Sequence, residues 1–171
     1  MEPDNKQPIR RFCLICGHGL VRKRIEDRDR DICPDCRWIY YENPLPCAAA
    51  FVRGPEGILM VKRGVEPGKG LWGLPSGFME IDEIPEQTCL RELREETGLE
   101  GRIIRLMGVY AQKSSVYKKV VIMGYEVHAE GEPRPGSDTT EVKYFSPDRL
   151  PRIAFSSHRK MVEEGLKRAE K

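Results

Sequence analysis

The stretch Gly77–Leu99, "GFMEIDEIPEQTCLRELREETGL", carries seven acidic side chains, and three of them, Glu92, Glu95 and Glu96, fall within five residues. Its second half predicts a helix over 85–97. Pro85 suits the first helical position, Glu86 the positive N-terminal end and Gly98 the C-terminal cap. Cys89, Leu90, Leu93 and Thr97 recur at three- and four-residue spacing and give the helix a packing face. Residues at i, i+3 and i+4 share a face, so Glu92, Glu95 and Glu96 project together, beside the apolar stripe. Each like-charge pair costs roughly 0.2–0.5 kcal/mol. A solvated acidic face beside Arg91 and Arg94 would tolerate that. A cluster of carboxylate oxygens also suits a hard divalent cation, which takes oxygen ligands and is completed by substrate phosphates. The glycine-rich segment just upstream, "GKGLWGLPSG" (68–77), lets backbone groups approach such a site.

Outward from this helix the chain alternates strands and helices. "CAAAFVRG" (47–54) and "GILMVKRG" (57–64) flank the turn "GPEG" and predict a hairpin. "RIIRLMGVYAQ" and "YKKVVIMGYEVHAEG" read as two long strands. "DTTEVKYF" gives a shorter one, and the tail from Phe155 reads as a helix with candidate serine caps and a basic end. The alternation implies an α/β layered core. The chain has 171 residues, enough for one domain plus a small module. Its 29 basic and 27 acidic residues leave a net charge of +2, which argues against nucleic acid as a partner. The apolar runs are too short to span a bilayer, so no membrane association is expected, and residues 1–12 have no apolar core of a secretory signal. The cytoplasm is the expected compartment.

Four of the six cysteines form two CxxC pairs, Cys13 with Cys16 and Cys33 with Cys36. Two such knuckles at this separation fit a closed, structural zinc site with four cysteine ligands, and the thioredoxin-like context of a redox CxxC is missing. Bound Zn2+ would fold a segment too poor in apolar residues to fold alone. His18 lies beside the first knuckle, but four cysteines already complete the ligand set. Cys47 and Cys89 read as small buried apolar side chains. The expected organisation is a disordered tail (1–9), a zinc ribbon (10–43) and a main domain (44–171), with Pro44 and Pro46 marking the boundary.

The acidic stretch resembles the Nudix box: Gly, five residues, Glu, seven residues, then Arg-Glu-aliphatic-x-Glu-Glu-x-Gly-aliphatic. Gly77, Glu83, Arg91, Glu92, Leu93, Glu95, Glu96, Gly98 and Leu99 fill all nine fixed positions, a match with chance odds on the order of 10⁻⁷. The resemblance implies a Nudix hydrolase, an α/β/α sandwich with a mixed sheet, cleaving a nucleoside diphosphate linked to another group X. It further implies Mg2+ or Mn2+ held by Glu92 and Glu96 with Glu95 close by, the Ser76 carbonyl as a further ligand, and Gly77, Glu83 and Arg91 supporting them. Glu141 is the expected loop carboxylate, approaching the metal as a further ligand and acting as base, with Glu130 and Glu132 as lesser alternatives.

A ribbon ahead of this domain, Asn43-Pro44, "GLWGLPSGFME" and "IAFSSHR" resemble a subgroup of FAD and ADP-ribose diphosphatases. The "SQPWPFP"-type motif of NADH diphosphatases is missing. FAD or ADP-ribose is therefore the favoured substrate, releasing AMP. An NADH or nucleoside triphosphate pyrophosphatase and a non-catalytic nucleotide-sensing regulator are the alternatives. Arg63, Trp72 and Phe78 are the candidate substrate contacts, with Tyr110, Tyr117 and Phe155 as further aromatic candidates, and a homodimer is expected by resemblance.

Overall fold

The chain divides after Pro44 into two units, Met1–Pro44 and Leu45–Lys171. The structure, a computed structural model, describes residues 11–136 and 138–168. The expected disordered tail lies outside them. In the first unit, β1 (Val21–Ile25), β2 (Arg28–Ile32) and β3 (Ile39–Tyr40) form an antiparallel sheet in that order. The register sets Arg22 opposite Asp31 and Arg24 opposite Asp29. Their guanidinium–carboxylate distances are 3.0 and 3.6 Å. The charge-dense "RKRIEDRDRD" is thus a hairpin whose opposite charges face each other across the strands, an arrangement that favours pairing.

The second unit is built around β4 (Leu45–Gly54), whose near-continuous apolar run signals burial on both faces. Cys47, Ala49 and Phe51 point into one core layer, and Ala48, Ala50 and Val52 into the other. β5 (Gly57–Arg63) returns from β4 as the expected hairpin, with Arg53 opposite Ile58. The glycine-rich segment holds two short strands, β6 (Trp72–Gly73) against β5 and β7 (Ser76–Phe78) against β4. After α1 (Pro85–Thr97) come β8 (Glu100–Ser114), β9 (Lys118–Glu130), β10 (Thr139–Phe145), a 3-10 turn at Pro147–Arg149 and α2 (Ser156–Arg168). The main path of the seven-stranded sheet runs β10-β5-β4-β9-β8. β4 and β9 are parallel and the other pairs antiparallel, so the sheet is mixed.

Each face is covered by one helix. Cys89 and Leu93 of α1 pack on the Ala48–Ala50–Val52 side, and Met161 and Val162 of α2 on the Cys47–Ala49–Phe51 side. This is the α/β/α sandwich. Pro85 opens α1, Gln87 accepts the Ile84 N–H at 2.9 Å, and Gly98 closes it at φ 70°. That left-handed conformation costs glycine little. Cys47 and Cys89 are both buried in the core. No helix among the described residues is long and apolar enough to cross a membrane.

Candidate active site

β7 carries the start of the acidic stretch along β4, with Gly77 opposite Ala48 and Ser76 opposite Ala49. α1 then crosses back over it. The approach is so close that a Cβ on Gly77 would fall within the Glu92 carboxylate, which explains why that position takes glycine.

Arg91 organises the acidic face. Its Nε donates to Glu83 Oε1 at 2.6 Å and its Nη2 to Glu83 Oε2 and the Phe78 carbonyl, both at 3.0 Å. Nη1 reaches Glu92 Oε1 at 2.5 Å and Glu95 Oε2 at 3.1 Å. The Arg91 hydrogen bonds hold the Glu83 carboxyl down at about 2, aided by the Glu80 N–H and the Thr88 hydroxyl. Glu83 is therefore held as an anion, clamped on Arg91 through both of its oxygens.

The other carboxylates are less comfortable. Burial pushes the Glu92 carboxyl above its ordinary range, although Arg91 opposes the rise. Glu96 is 6% exposed, and burial raises it to about 8, with Glu92 and Asp138 adding repulsion. The Ser76 N–H, donating to Glu96 Oε2 at 3.0 Å, and the Arg63 charge only partly offset this. One buried and one half-buried carboxylate pressed toward protonation, with Glu95 sharing Arg91 with Glu92, form a donor set short of positive charge. That is the electrostatic condition a divalent cation relieves. The oxygens of Glu92, Glu95 and Glu96 are not gathered within 4.8 Å as a metal would gather them. Arg91 binds two of the three instead, and Glu96 is turned to Ser76.

A cavity of about 690 Å³ opens beside this face. Ser76, Gly77 and Phe78 form its box-side wall, Cys47, Val120 and Ile122 are among its apolar lining, and Arg63, Gln112, Asp138, Phe155 and His158 line it as well. Such a volume suits a nucleotide-sized ligand. Phe78 packs edge-on against Tyr117 at 5.1 Å, and the Arg63 guanidinium lies 4.9 Å from the Phe155 ring centre. Of the expected substrate contacts, Arg63 and Phe78 therefore face the cavity, as do Tyr117 and Phe155.

Trp72 does not line it. Its ring packs edge-on against Phe145 at 4.7 Å as part of the core, under the Lys62 and Lys143 ammonium groups. Tyr110 is buried, with its hydroxyl donating to Glu164 at 2.6 Å. Glu141 is not a cavity residue either. It accepts from Lys62 at 2.7 Å and Lys143 at 2.6 Å, which hold its carboxyl down at about 2. Glu130 and Glu132 are exposed and pair with His128 and Arg134. The carboxylate of this region that does line the cavity is Asp138, three residues before Glu141. Asp138, Gln112 and His158 had no local signal, because a polar residue in a loop, a strand or a helix looks the same whether or not it borders a cavity.

In the first unit the four knuckle sulfurs converge. Cys13–Cys36 and Cys16–Cys36 are 3.5 Å apart and Cys16–Cys33 3.4 Å, and all four lie within 4.8 Å of one another. A disulfide would bring two sulfurs to about 2.05 Å. Four thiolates around one tetrahedral ion, at about 2.3 Å from it, would stand about 3.8 Å apart. The arrangement is thus near a tetrahedral metal site and compatible with a zinc ribbon. Backbone N–H groups of Ile15 and Cys36 point at Cys13 and Cys33 Sγ at 3.4 and 3.5 Å, which favours the thiolate form. His18 sits outside the four, 3.4 Å from Asp35.

The family model described as the NUDIX domain matches residues 43–165. An ADP-ribose pyrophosphatase of Methanocaldococcus jannaschii is 32% identical over 158 residues, covering 90% of this chain and 88% of that protein. The NAD-capped RNA hydrolase NudC of Vibrio vulnificus is 31% identical over 163 residues, covering 91% of this chain and 59% of that protein. The chain thus spans under two thirds of that second relative. Among solved structures, a NUDIX hydrolase from Nitrosomonas europaea superposes with a TM-score of 0.82 at 28% identity, covering 94% of this chain and 92% of that one. The NUDIX domain of Shewanella oneidensis NrtR complexed with ADP ribose gives 0.66 at 26% identity, covering 75% and 90%. Sandwich, acidic helix and sequence kinship agree, and the chain belongs to the Nudix hydrolase family.

Proposed function

We propose that the protein hydrolyses the diphosphate of a nucleoside diphosphate linked to X, with ADP-ribose as the favoured substrate and AMP as a product. The observation that carries this reading is the buried Glu96 and the half-buried Glu92, both raised above the ordinary carboxylate range and held against the Gly77 and Ser76 backbone that walls a nucleotide-sized cavity. In this reading Glu92, Glu95 and Glu96, with the Ser76 carbonyl, hold Mg2+ or Mn2+. When bound, that cation neutralises diphosphate charge and makes water more acidic. Glu83 fixes Arg91, which holds Glu92 and Glu95 together on the face where they would ligate the cation. Arg63, a cavity residue whose guanidinium lies 4.9 Å from the Phe155 ring centre, is the residue assigned to a phosphate oxygen in this reading. Of the two carboxylates here, Asp138 borders the cavity just ahead of β10 and Glu141, within β10, is occupied by lysines, so the base role falls to Asp138 ahead of Glu141. Asp138→Asn should therefore lower kcat more than Glu141→Gln. The four cysteines hold Zn2+ in a structural ribbon (10–43) ahead of the hydrolase domain (44–171). A cytoplasmic homodimer completes the reading and is checked by light scattering.

ADP-ribose is favoured by the Methanocaldococcus relative, and FAD by the subgroup resemblance of "GLWGLPSGFME" and "IAFSSHR". The NudC relatives favour a second reading, a nicotinamide dinucleotide, free or at an RNA end. The charge-paired β1–β2 hairpin speaks against the RNA form, which would show affinity falling steeply with salt. A panel of ADP-ribose, FAD, NADH, NAD+ and nucleoside triphosphates with Mg2+ or Mn2+ tests the proposal. AMP release from ADP-ribose or FAD, abolished by Glu96→Gln, is the expected result. Pyrophosphate release from triphosphates would replace the substrate assignment. Metal-dependent binding without turnover of any compound would make the protein a nucleotide-sensing regulator.

A further inference from the structure

The segment Ala154–His158 borders the cavity, and its hydrogen bonding leaves a specific imbalance. His158 is 3% exposed, yet it lines the cavity. Its Nδ1 accepts the Leu74 N–H at 3.1 Å. The ring is neutral, because burial holds its pKa down near 4 and the Arg63 charge adds to the effect. A neutral imidazole that accepts at Nδ1 must carry its proton at Nε2. Among the described residues no acceptor takes that Nε2–H, and it is not among the sealed, unsatisfied atoms of the interior. It opens on the cavity.

Gln112 repeats the pattern from β8. Its Oε1 accepts both the Ser157 hydroxyl at 2.7 Å and the Ser157 N–H at 3.3 Å. A backbone N–H can only donate, so the atom facing Ser157 is the oxygen, and the amide NH2 is left toward the cavity that Gln112 lines. Two neighbouring polar groups are thus each fixed, through their acceptor atoms, as donors. The cavity also has apolar lining, Cys47, Val120 and Ile122, and an aromatic pair, Phe78 and Tyr117.

We propose that His158 Nε2–H and the Gln112 amide form a base-recognition subsite that binds the acceptor edge of a planar heteroaromatic ring of the substrate. The apolar lining takes the ring faces. The donors select for ring nitrogens or carbonyl oxygens and against a ring edge that presents its own N–H groups, because two donors facing each other in a dry pocket are each left unpaired. Gln112 and His158 are then substrate-selecting residues, distinct from the acidic face that carries out hydrolysis. The inference deepens the proposed dinucleotide activity and rests on it.

The test is Gln112→Glu, which keeps a carboxylate oxygen for both Ser157 donors and turns the cavity-facing donor into an acceptor. It is paired with substrate analogues in which one ring nitrogen of the base at a time is replaced by CH. In the parent protein one such replacement should raise KM about tenfold, the usual loss for one directed hydrogen bond, with a smaller change in kcat. In Gln112→Glu, KM for the natural base should rise by a similar factor, and the penalty for that one replacement should vanish. If KM in Gln112→Glu matches the parent, or if every analogue is penalised equally in both proteins, the inference fails while the diphosphatase reading stands. If no base-bearing dinucleotide is turned over or bound at all, both fail together. Circular dichroism on Gln112→Glu verifies that the Ser157 contacts still support the fold, and the analogue series in the parent decides the matter if they do not.

Discussion

Replacing Glu96 by Gln should separate stability from catalysis in opposite directions. In the metal-free protein the Glu96 carboxyl is raised from 4.5 to about 8, burial being the chief cause. The native state therefore holds a proton that the unfolded state releases across this window, so stability falls as pH rises from about 4.5 toward 8. That interval, at about 1.36 kcal/mol for each pH unit, gives a limit on the order of 5 kcal/mol lost by about pH 9. A glutamine keeps an oxygen for the Ser76 N–H and carries no charge at any pH. In magnesium-free buffer with the zinc retained, urea denaturation should find Glu96→Gln close to the parent at about pH 5 and more stable by several kcal/mol at about pH 9. The difference should grow steadily between those limits. Magnesium should then raise the parent's stability at the alkaline end and leave the variant's nearly unchanged, while turnover drops by at least two orders of magnitude. A variant no more stable than the parent in alkaline buffer, or a difference independent of pH, would refute the argument that Glu96 is a buried charge waiting for a cation.

Gly77→Ala places a methyl group within the Glu92 carboxylate, so it should cost about 1–3 kcal/mol of stability by overpacking, as expected for a crowded core, and should weaken magnesium binding measured by calorimetry. Purified protein should carry one equivalent of zinc by elemental analysis, and Cys33→Ser should lose it, with hydrogen exchange rising first in the β1–β3 sheet. His158, held neutral with a pKa near 4 against 6.5, gives the folded state fewer protons than the unfolded one between those values. Its contribution is intact above pH 6.5 and is lost as the pH falls toward 4. Replacing it with a non-titrating residue should reduce the steepness of acid denaturation in that window, whatever the change in absolute stability.

Local pattern was a good guide where one element carries the whole signal. α1 has its cap, its apolar stripe and its glutamates within the single stretch 77–99, and β4 announces its two-sided burial by an unbroken apolar run. The cavity was not legible in this way. Arg63, Gln112, Asp138 and His158 come from four separate parts of the chain, and only the sheet order brings them to one wall. Trp72 and Glu141 lie outside the cavity lining for a related reason. A tryptophan after a glycine-rich loop and a glutamate ahead of a strand look functional in sequence, but β6 turns Trp72 onto Phe145, and the β5–β10 register sets Glu141 opposite Lys62.

The three consecutive alanines of β4 have a wider meaning. Ala48, Ala49 and Ala50 are all fully buried, alternately beneath α1 and α2. On a strand with one wet face, every second position is free to vary, and drift can proceed by polar changes on the outer side. This strand has no outer side. What it accepts is limited by volume in both directions at once, so a larger side chain at 48 presses the helix bearing the acidic cluster, and one at 49 presses the layer bearing the base-recognition wall. The central strand thus sets the spacing of the acidic helix on one face and of the Gln112–His158 wall on the other, and neither can be moved by adjusting a single layer.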